Sequence, residues 1–153
     1  MLGETAAMSP PDARPELPPR RPGREPWGCA AVLLPHHTDG SVDWPSFRSL
    51  LERTVAAGLT PAVNMDTGFV QLLSPETRAA VLATTAEVLG GTADPGPSGR
   101  PGRPARPDRF LAGAFVADRA GDRFDPDRYR AELAAVQAAG GTPVVFPSHG
   151  LNA

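Results

Sequence analysis

The sequence has no lysine among its 15 basic residues. Without a lysine, no side chain can form a Schiff base with a carbonyl substrate. A single cysteine, Cys29, excludes an internal disulfide. It opens an apolar run and reads as a small buried side chain. Aromatics make up only 6% of the chain, and no apolar run approaches the length that spans a membrane. No apolar h-region of a secretory signal stands at the N-terminus, so the expected compartment is the cytoplasm. Charge of one sign is lacking too. The formal net charge is −2, which gives no general attraction to nucleic acid or to an anionic membrane.

Proline and glycine are abundant instead, with 19 and 16 residues, and they cluster in two tracts. Residues 1–26 are rich in Pro and Arg and poor in apolar side chains. Residues 91–107 read G-T-A-D-P-G-P-S-G-R-P-G-R-P-A-R-P. Neither tract buries enough surface to offset its ordering entropy, so both are expected to be disordered. The expected domain therefore covers residues 27–153, with 91–107 as a low-complexity insertion.

What remains alternates regularly. Four short apolar stretches, Cys29–Leu34, Pro61–Met65, Phe110–Ala117 and Thr142–Phe146, each run into a polar loop, with three helix-like segments between them. Strands that alternate with helices predict an α/β fold with a parallel sheet. Asp43-Trp44-Pro45, Ser74-Pro75 and Asp125-Pro126 supply capping side chains followed by proline. Gly58, Gly90 and Gly140 are expected to close the helices at positive φ. Apolar residues recur at helical spacing: Phe47, Leu50, Leu51 and Val55; Ala79, Leu82, Ala86 and Leu89; Tyr129, Leu133 and Val136. Strand starts near 29, 61, 110 and 142 give a βα period with one insertion, and residues 91–107 account for the surplus. Four units are half the number in a (β/α)₈ barrel. The sequence reads as the N-terminal half of such a barrel.

In such barrels chemistry gathers in the loops after the strands. Those loops hold His36, His37, Thr38 and Asp39; Asp66, Thr67 and Gly68; Asp118; and Ser148, His149 and Gly150. His36 or His37 with Asp66, Asp118 and His149 offers metal-ligand types, yet no H-x-H, H-E-x-x-H or C-x-x-C spacing is present. Loop hydrogen bonding or substrate contact is the reading adopted, with no metal. Ser148 lies in P-S-H-G, not in a G-x-S-x-G elbow, which argues against a hydrolase triad. No glycine-rich loop joins a strand to a helix as a phosphate cradle. D-T-G at 66–68 also reads as an ordinary turn, with Asp66 bonding nearby amides and Gly68 at positive φ.

The run A-A-V-L-L-P-H-H-T-D-G-S-V-D-W-P-S-F resembles the opening of the dihydrodipicolinate synthase and N-acetylneuraminate lyase family. A-A-G-L-T-P-A-V-N-M-D-T-G-F is similar to the family's strand followed by a "G-T-T-G-E" loop, and L-L-S-P-E-T-R-A-A-V-L to its "L-T-x-E-E-R-x-x-V". The resemblance covers residues 28–90 well and 110–152 more loosely. It implies a TIM barrel, usually oligomeric, that performs aldol addition or cleavage on a 2-oxo acid without a cofactor. The family's Schiff-base lysine lies on the sixth strand and its relay tyrosine on the fifth, so a truncated or split member would be inactive alone. Alternatively the chain is a non-catalytic half-barrel that binds a small molecule or pairs with another chain.

By the same resemblance, Thr67 and Gly68 match the second threonine and the glycine of the substrate loop, while Asp66 and Phe69 replace the first threonine and the glutamate. An anion at Asp66 repels a substrate carboxylate unless that group is protonated or paired. The family's fourth strand often ends P-Y-Y; here it ends Pro147-Ser148-His149, which leaves His149 as a candidate proton relay. The partners expected are a small 2-oxo acid once the barrel is completed, and a second copy or a separate second-half chain.

Overall fold

The computed structural model describes residues 27–90 and 109–152. The two Pro-rich tracts expected to be disordered lie outside the described residues. Strands β1 (Cys29–Ala31), β2 (Thr60–Val63), β3 (Leu111–Ala114) and β4 (Thr142–Val145) form one sheet in the order β1-β2-β3-β4, and every pairing is parallel. Helices α1 (Trp44–Ala56), α2 (Pro75–Gly90) and α3 (Pro126–Ala138) provide the crossovers. The fold is the expected α/β architecture of four parallel strands and three helices.

The helix starts follow from local chemistry. Asp43 accepts from the Ser46 amide at 3.0 Å, and Asp125 accepts from the amides of Asp127 and Arg128. Ser74 Oγ accepts from the Thr77 amide at 3.1 Å. These bonds satisfy amide donors that the first turn leaves free. Gly58 and Gly140 follow α1 and α3 at φ 73° and 80°. Gly90 differs from expectation: it remains inside α2 and is not at positive φ.

The core lies between the helices and one face of the sheet. Val32, Val63, Phe110 and Ala112 pack there with Phe47 and Leu51 of α1, Val81, Leu82 and Leu89 of α2, and Val136 of α3. The α2 stripe is rotated from the one expected. Val81 and Thr85 are buried, whereas Ala79 is exposed. Thr85 tolerates burial because its hydroxyl donates to the Val81 carbonyl at 2.7 Å.

Register assigns the two faces of the sheet. Side chains alternate along a strand, and Val32 of the core shares its face with Ala30. The opposite face carries Cys29, Ala31 and Leu33, all exposed. Cys29 is thus not the buried residue expected. Its strand ladder is correct, but no element among the described residues lies across from it. Ala114 pairs with Val145, and Ala114 shares the helix-side face with Ala112. Val145 is nevertheless 47% exposed, because α3 leaves the outer flank of β4 uncovered.

Candidate functional site

All four strands are parallel, so their C-terminal ends and following loops share one edge of the sheet. Every candidate residue named from the sequence lies on that edge. They do not form one cluster.

The loop after β1 closes on itself. His36 forms an antiparallel bridge with Val42, and the His37 amide donates to the Ser41 carbonyl at 2.8 Å. Asp39 accepts from the Ser41 hydroxyl at 2.6 Å and amide at 2.9 Å, and these bonds hold its carboxyl below the usual range. Asp43 is lowered likewise, by its Ser46 bonds and by the nearby His37. Asp39 and Asp43 are therefore occupied in shaping this loop.

The loop after β2 is a pair of 3₁₀ turns, Asp66–Gly68 and Val70–Leu72. Two non-glycine residues, Asn64 at φ 49° and Phe69 at φ 54°, occupy the left-handed region on either side of the first turn. Gly68 is buried and does not take positive φ, contrary to expectation. Phe69 makes the reversal instead, its amide donating to the Asp66 carbonyl at 2.9 Å. Asp66 also departs from expectation, because its carboxylate has no hydrogen-bond partner among the described residues. Asp66 and Thr67 are exposed at the sheet edge.

The loops after β3 and β4 are joined. Asp118 Oδ1 accepts from the His149 amide at 2.9 Å, and Oδ2 accepts from the Gly150 amide at 2.8 Å. Partial desolvation raises the carboxyl pKa, but the Ser148 hydroxyl, the Gly150 and His149 amides and the His149 charge outweigh it, leaving the group at about 2. A carboxylate with several donors is stabilised in its ionised form. Gly150 seats this joint closely: a Cβ there would lie 2.6 Å from the Arg123 carbonyl carbon and oxygen. Tyr129 adds a bond from its hydroxyl to the Phe146 carbonyl at 3.0 Å.

This geometry decides against Ser148 as a nucleophile. Its side chain is buried, its hydroxyl is engaged with Asp118, and its Oγ accepts from the Leu151 amide at 3.3 Å. His149 is exposed, and its hydrogen bonds run through its backbone: the amide donates to Asp118, and the carbonyl accepts from the Asn152 amide at 3.2 Å. No hydrogen bond or ion pair among the described residues joins Asp66, Thr67 or Gly68 to the Asp118 cluster. No group of three or more His, Cys, Asp or Glu side chains among the described residues is placed to hold a metal ion.

Sequence reasoning missed Arg78. Its guanidinium donates to the Leu73 carbonyl at 3.1 Å, pairs with Glu132 of α3 at 3.3 Å, and lies over the Phe115 ring at 5.6 Å. Its carbonyl accepts from Asn64 Nδ2 at 3.1 Å. Arg78 thus links the end of β2, the β2–α2 loop, the segment after β3, and α3. The signal was available: Arg78 stands four residues before Leu82 and seven before Thr85, on the buried stripe.

No family model matches the chain, and no curated protein matches it in sequence. Solved structures do match in fold. A protein from Pseudomonas aeruginosa assigned as a dihydrodipicolinate synthetase superposes with a TM-score of 0.58 at 16% identity, over 80% of this chain and 36% of that one. Dihydrodipicolinate synthase from Bacillus clausii gives 0.53 at 19% identity, over 75% and 32%. The Aquifex aeolicus synthase gives 0.55 at 17% identity, over 78% and 33%. No helix among the described residues is long and apolar enough to cross a membrane. The chain spans about a third of the length of the solved structures it matches, and over that third it has the fold of part of a dihydrodipicolinate synthase barrel.

Proposed function

We propose that this chain is the N-terminal half of a divergent Schiff-base aldolase or lyase barrel, as a truncated or split member of the family, that acts on a 2-oxo acid in the cytoplasm. Residues 27–153 make up the barrel portion, with 91–107 as its insertion. The supporting observation is the four-strand parallel sheet in chain order, which overlays about a third of dihydrodipicolinate synthase structures. Thr67 and Gly68 contact substrate, Asp66 tunes which substrate group is accepted there, and His149 relays a proton from the end of β4. The nucleophilic lysine comes from the completing half, because this sequence contains none. Alone, the chain is inactive.

Borohydride trapping with pyruvate tests the reading. The chain alone should gain no label on any side chain. When it is assembled with four further βα units that carry a strand-borne lysine, that lysine should be labelled. Labelling of a side chain within these 153 residues, or no labelling of the completed assembly, overturns it.

A second reading is a non-catalytic half-barrel that binds a small molecule or pairs with another chain. The Asp66 carboxylate, which has no partner among the described residues and stands where the family resemblance implies a carboxylate-binding threonine, favours it. Pyruvate binding to the completed assembly without any trapping would select this reading.

A further inference from the structure

We infer that one face of α3 is the common strut of the candidate site, with Arg128, Tyr129 and Glu132 as positioning residues for three strand-end loops. It rests on the reaction proposed above for what the loops do, and on geometry for how they are held. The Arg128 guanidinium donates to the Ala117 carbonyl, immediately before Asp118. The Tyr129 hydroxyl donates to the Phe146 carbonyl at 3.0 Å, shortly before His149. Glu132 Oε1 accepts from Arg78 at 3.3 Å. Arg78 donates in turn to the Leu73 carbonyl at 3.1 Å, at the end of the loop that carries Asp66, Thr67 and Gly68. The start of that loop is fastened by Asn64 Nδ2, which donates to the Arg78 carbonyl at 3.1 Å. Residues three and four apart are neighbours on a helix, so 128, 129 and 132 share one face.

The loop after β2 has no direct bond to the Asp118 cluster among the described residues, and α3 supplies the connection. At Ala117, Phe146 and Leu73 the group held is a main-chain carbonyl. Fixing it fixes the path of the chain, and so the direction in which the next side chains leave. The contacts differ in strength. Tyr129 is buried with its ring 5.6 Å from that of Phe124, which holds the hydroxyl in place. Arg78 and Glu132 side chains are 12% and 31% exposed, so their pair is better shielded than an ordinary surface pair. Arg128 is exposed and holds its carbonyl least firmly. Asp125 fixes the start of α3 by accepting from the Asp127 and Arg128 amides. One helix thereby sets where Thr67 and His149 stand relative to each other.

Amide hydrogen exchange on the full chain tests the strut without any activity. Glu132→Ala should cut protection of the Gly68 and Phe69 amides about tenfold. Glu132→Gln, whose amide oxygen can still accept from Arg78, should retain it. Tyr129→Phe should loosen the His149 and Gly150 amides and leave Gly68 and Phe69 unchanged. Asp125→Ala, which frees the first turn of α3, should loosen both loops together. The Val32 and Thr60 amides, bonded to the Ala62 and Gly28 carbonyls, should keep their protection throughout and report that each variant folds. In the assembly completed with four further βα units, the two contacts should separate kinetically. Glu132→Ala should raise the pyruvate concentration for half-maximal trapping several fold, and Tyr129→Phe should lower the trapping rate at saturation. If the unsubstituted assembly traps nothing, the reaction proposed above falls and exchange alone decides on the strut. Unchanged protection in Glu132→Ala and Tyr129→Phe overturns the proposal. So does an equal loss in Glu132→Gln, or a loss that extends to Val32 and Thr60.

Discussion

The backbone amide of His149 donates to Asp118 Oδ1 at 2.9 Å, and this bond ties the loop after β4 to the loop after β3. With the Gly150 amide on Oδ2, one carboxylate holds two consecutive residues of the neighbouring loop. Asp118 is therefore a clasp. Its bonds go to backbone and to the buried Ser148, and they set the direction in which the chain leaves β4.

The clasp predicts an acid dependence. Asp118 sits at about 2 in the folded chain, below its usual 3.8. A carboxyl lowered by folding contributes stability that is complete above its unfolded value. That contribution fades as the pH falls from about 4 and is gone below about 2. Asp39 and Asp43 are lowered too and act in the same direction. Hydrogen exchange at the His149 and Gly150 amides, followed from pH 5 to pH 2, should lose protection over this window. Asp118→Asn should weaken that protection already at pH 5 and remove its pH dependence. Unchanged protection in the variant refutes the clasp.

Close backbone approach gives a second prediction. A Cβ at Gly150 would meet the main chain of Arg123 and Phe124, at 2.6 and 2.8 Å. Main chain cannot swing away as a flexible side chain does. Gly150→Ala should cost about 1–3 kcal/mol through local overpacking. Gly113→Ala should cost at least as much, since its Cβ would collide with the Asn64 carbonyl and approach the Phe146 ring. Denaturant melts of both variants against the unsubstituted chain measure this, and near-neutral values contradict the close packing of the strand ends.

The helix-side core supplies a third. Phe47 and Leu51 of α1 are 1% and 0% exposed. Truncating Phe47 to alanine should cost about 3–5 kcal/mol, and Leu51 about 2–5 kcal/mol. Equilibrium unfolding checks both. A loss under about 1 kcal/mol at either position means that α1 is not packed as described.

The legibility of these features divides along physical lines. Asp43 and Asp125 were readable as caps because a cap bonds amides two or three residues away, and so lies within the local sequence. The four parallel strands were readable from period and punctuation. Cys29 was misjudged because its burial depends on what lies across the sheet, which no local pattern encodes. The turn after β2 was misjudged for a different reason. Turn chemistry put positive φ on Gly68, but the chain reverses at Asn64 and Phe69, and tertiary contacts of Asn64 hold the first of these. Arg78 went unread because a charge on an apolar stripe looks like an interruption until its partners Leu73, Phe115 and Glu132 are in view. Asp118 was legible as a strand-end carboxylate, but its bonds run to residues 31 and 32 positions later.

The two open edges of the sheet give the last prediction. Among the described residues, β1 and β4 each have one paired neighbour, so each offers unpaired backbone groups to a further strand. The edges are not equivalent. At β1 the helix-side residue Val32 is 5% exposed, while Leu33 on the other face is 56% exposed. At β4 it is the helix-side residue Val145 that stands open. Closing β1 thus requires apolar cover on the inner face, and closing β4 requires a helix on the outer flank as well as a strand. The described part of a second copy offers strands for both edges but no helix for the outer flank of β4. Assembly of the chain with itself should therefore be open-ended, not a closed dimer. Light scattering after size exclusion should show a broad, concentration-dependent mass distribution. Leu33→Glu and Val145→Glu should each shift it towards monomer, and the pair together more than either alone. A sharp dimer that survives both substitutions would show that the copies meet through another surface.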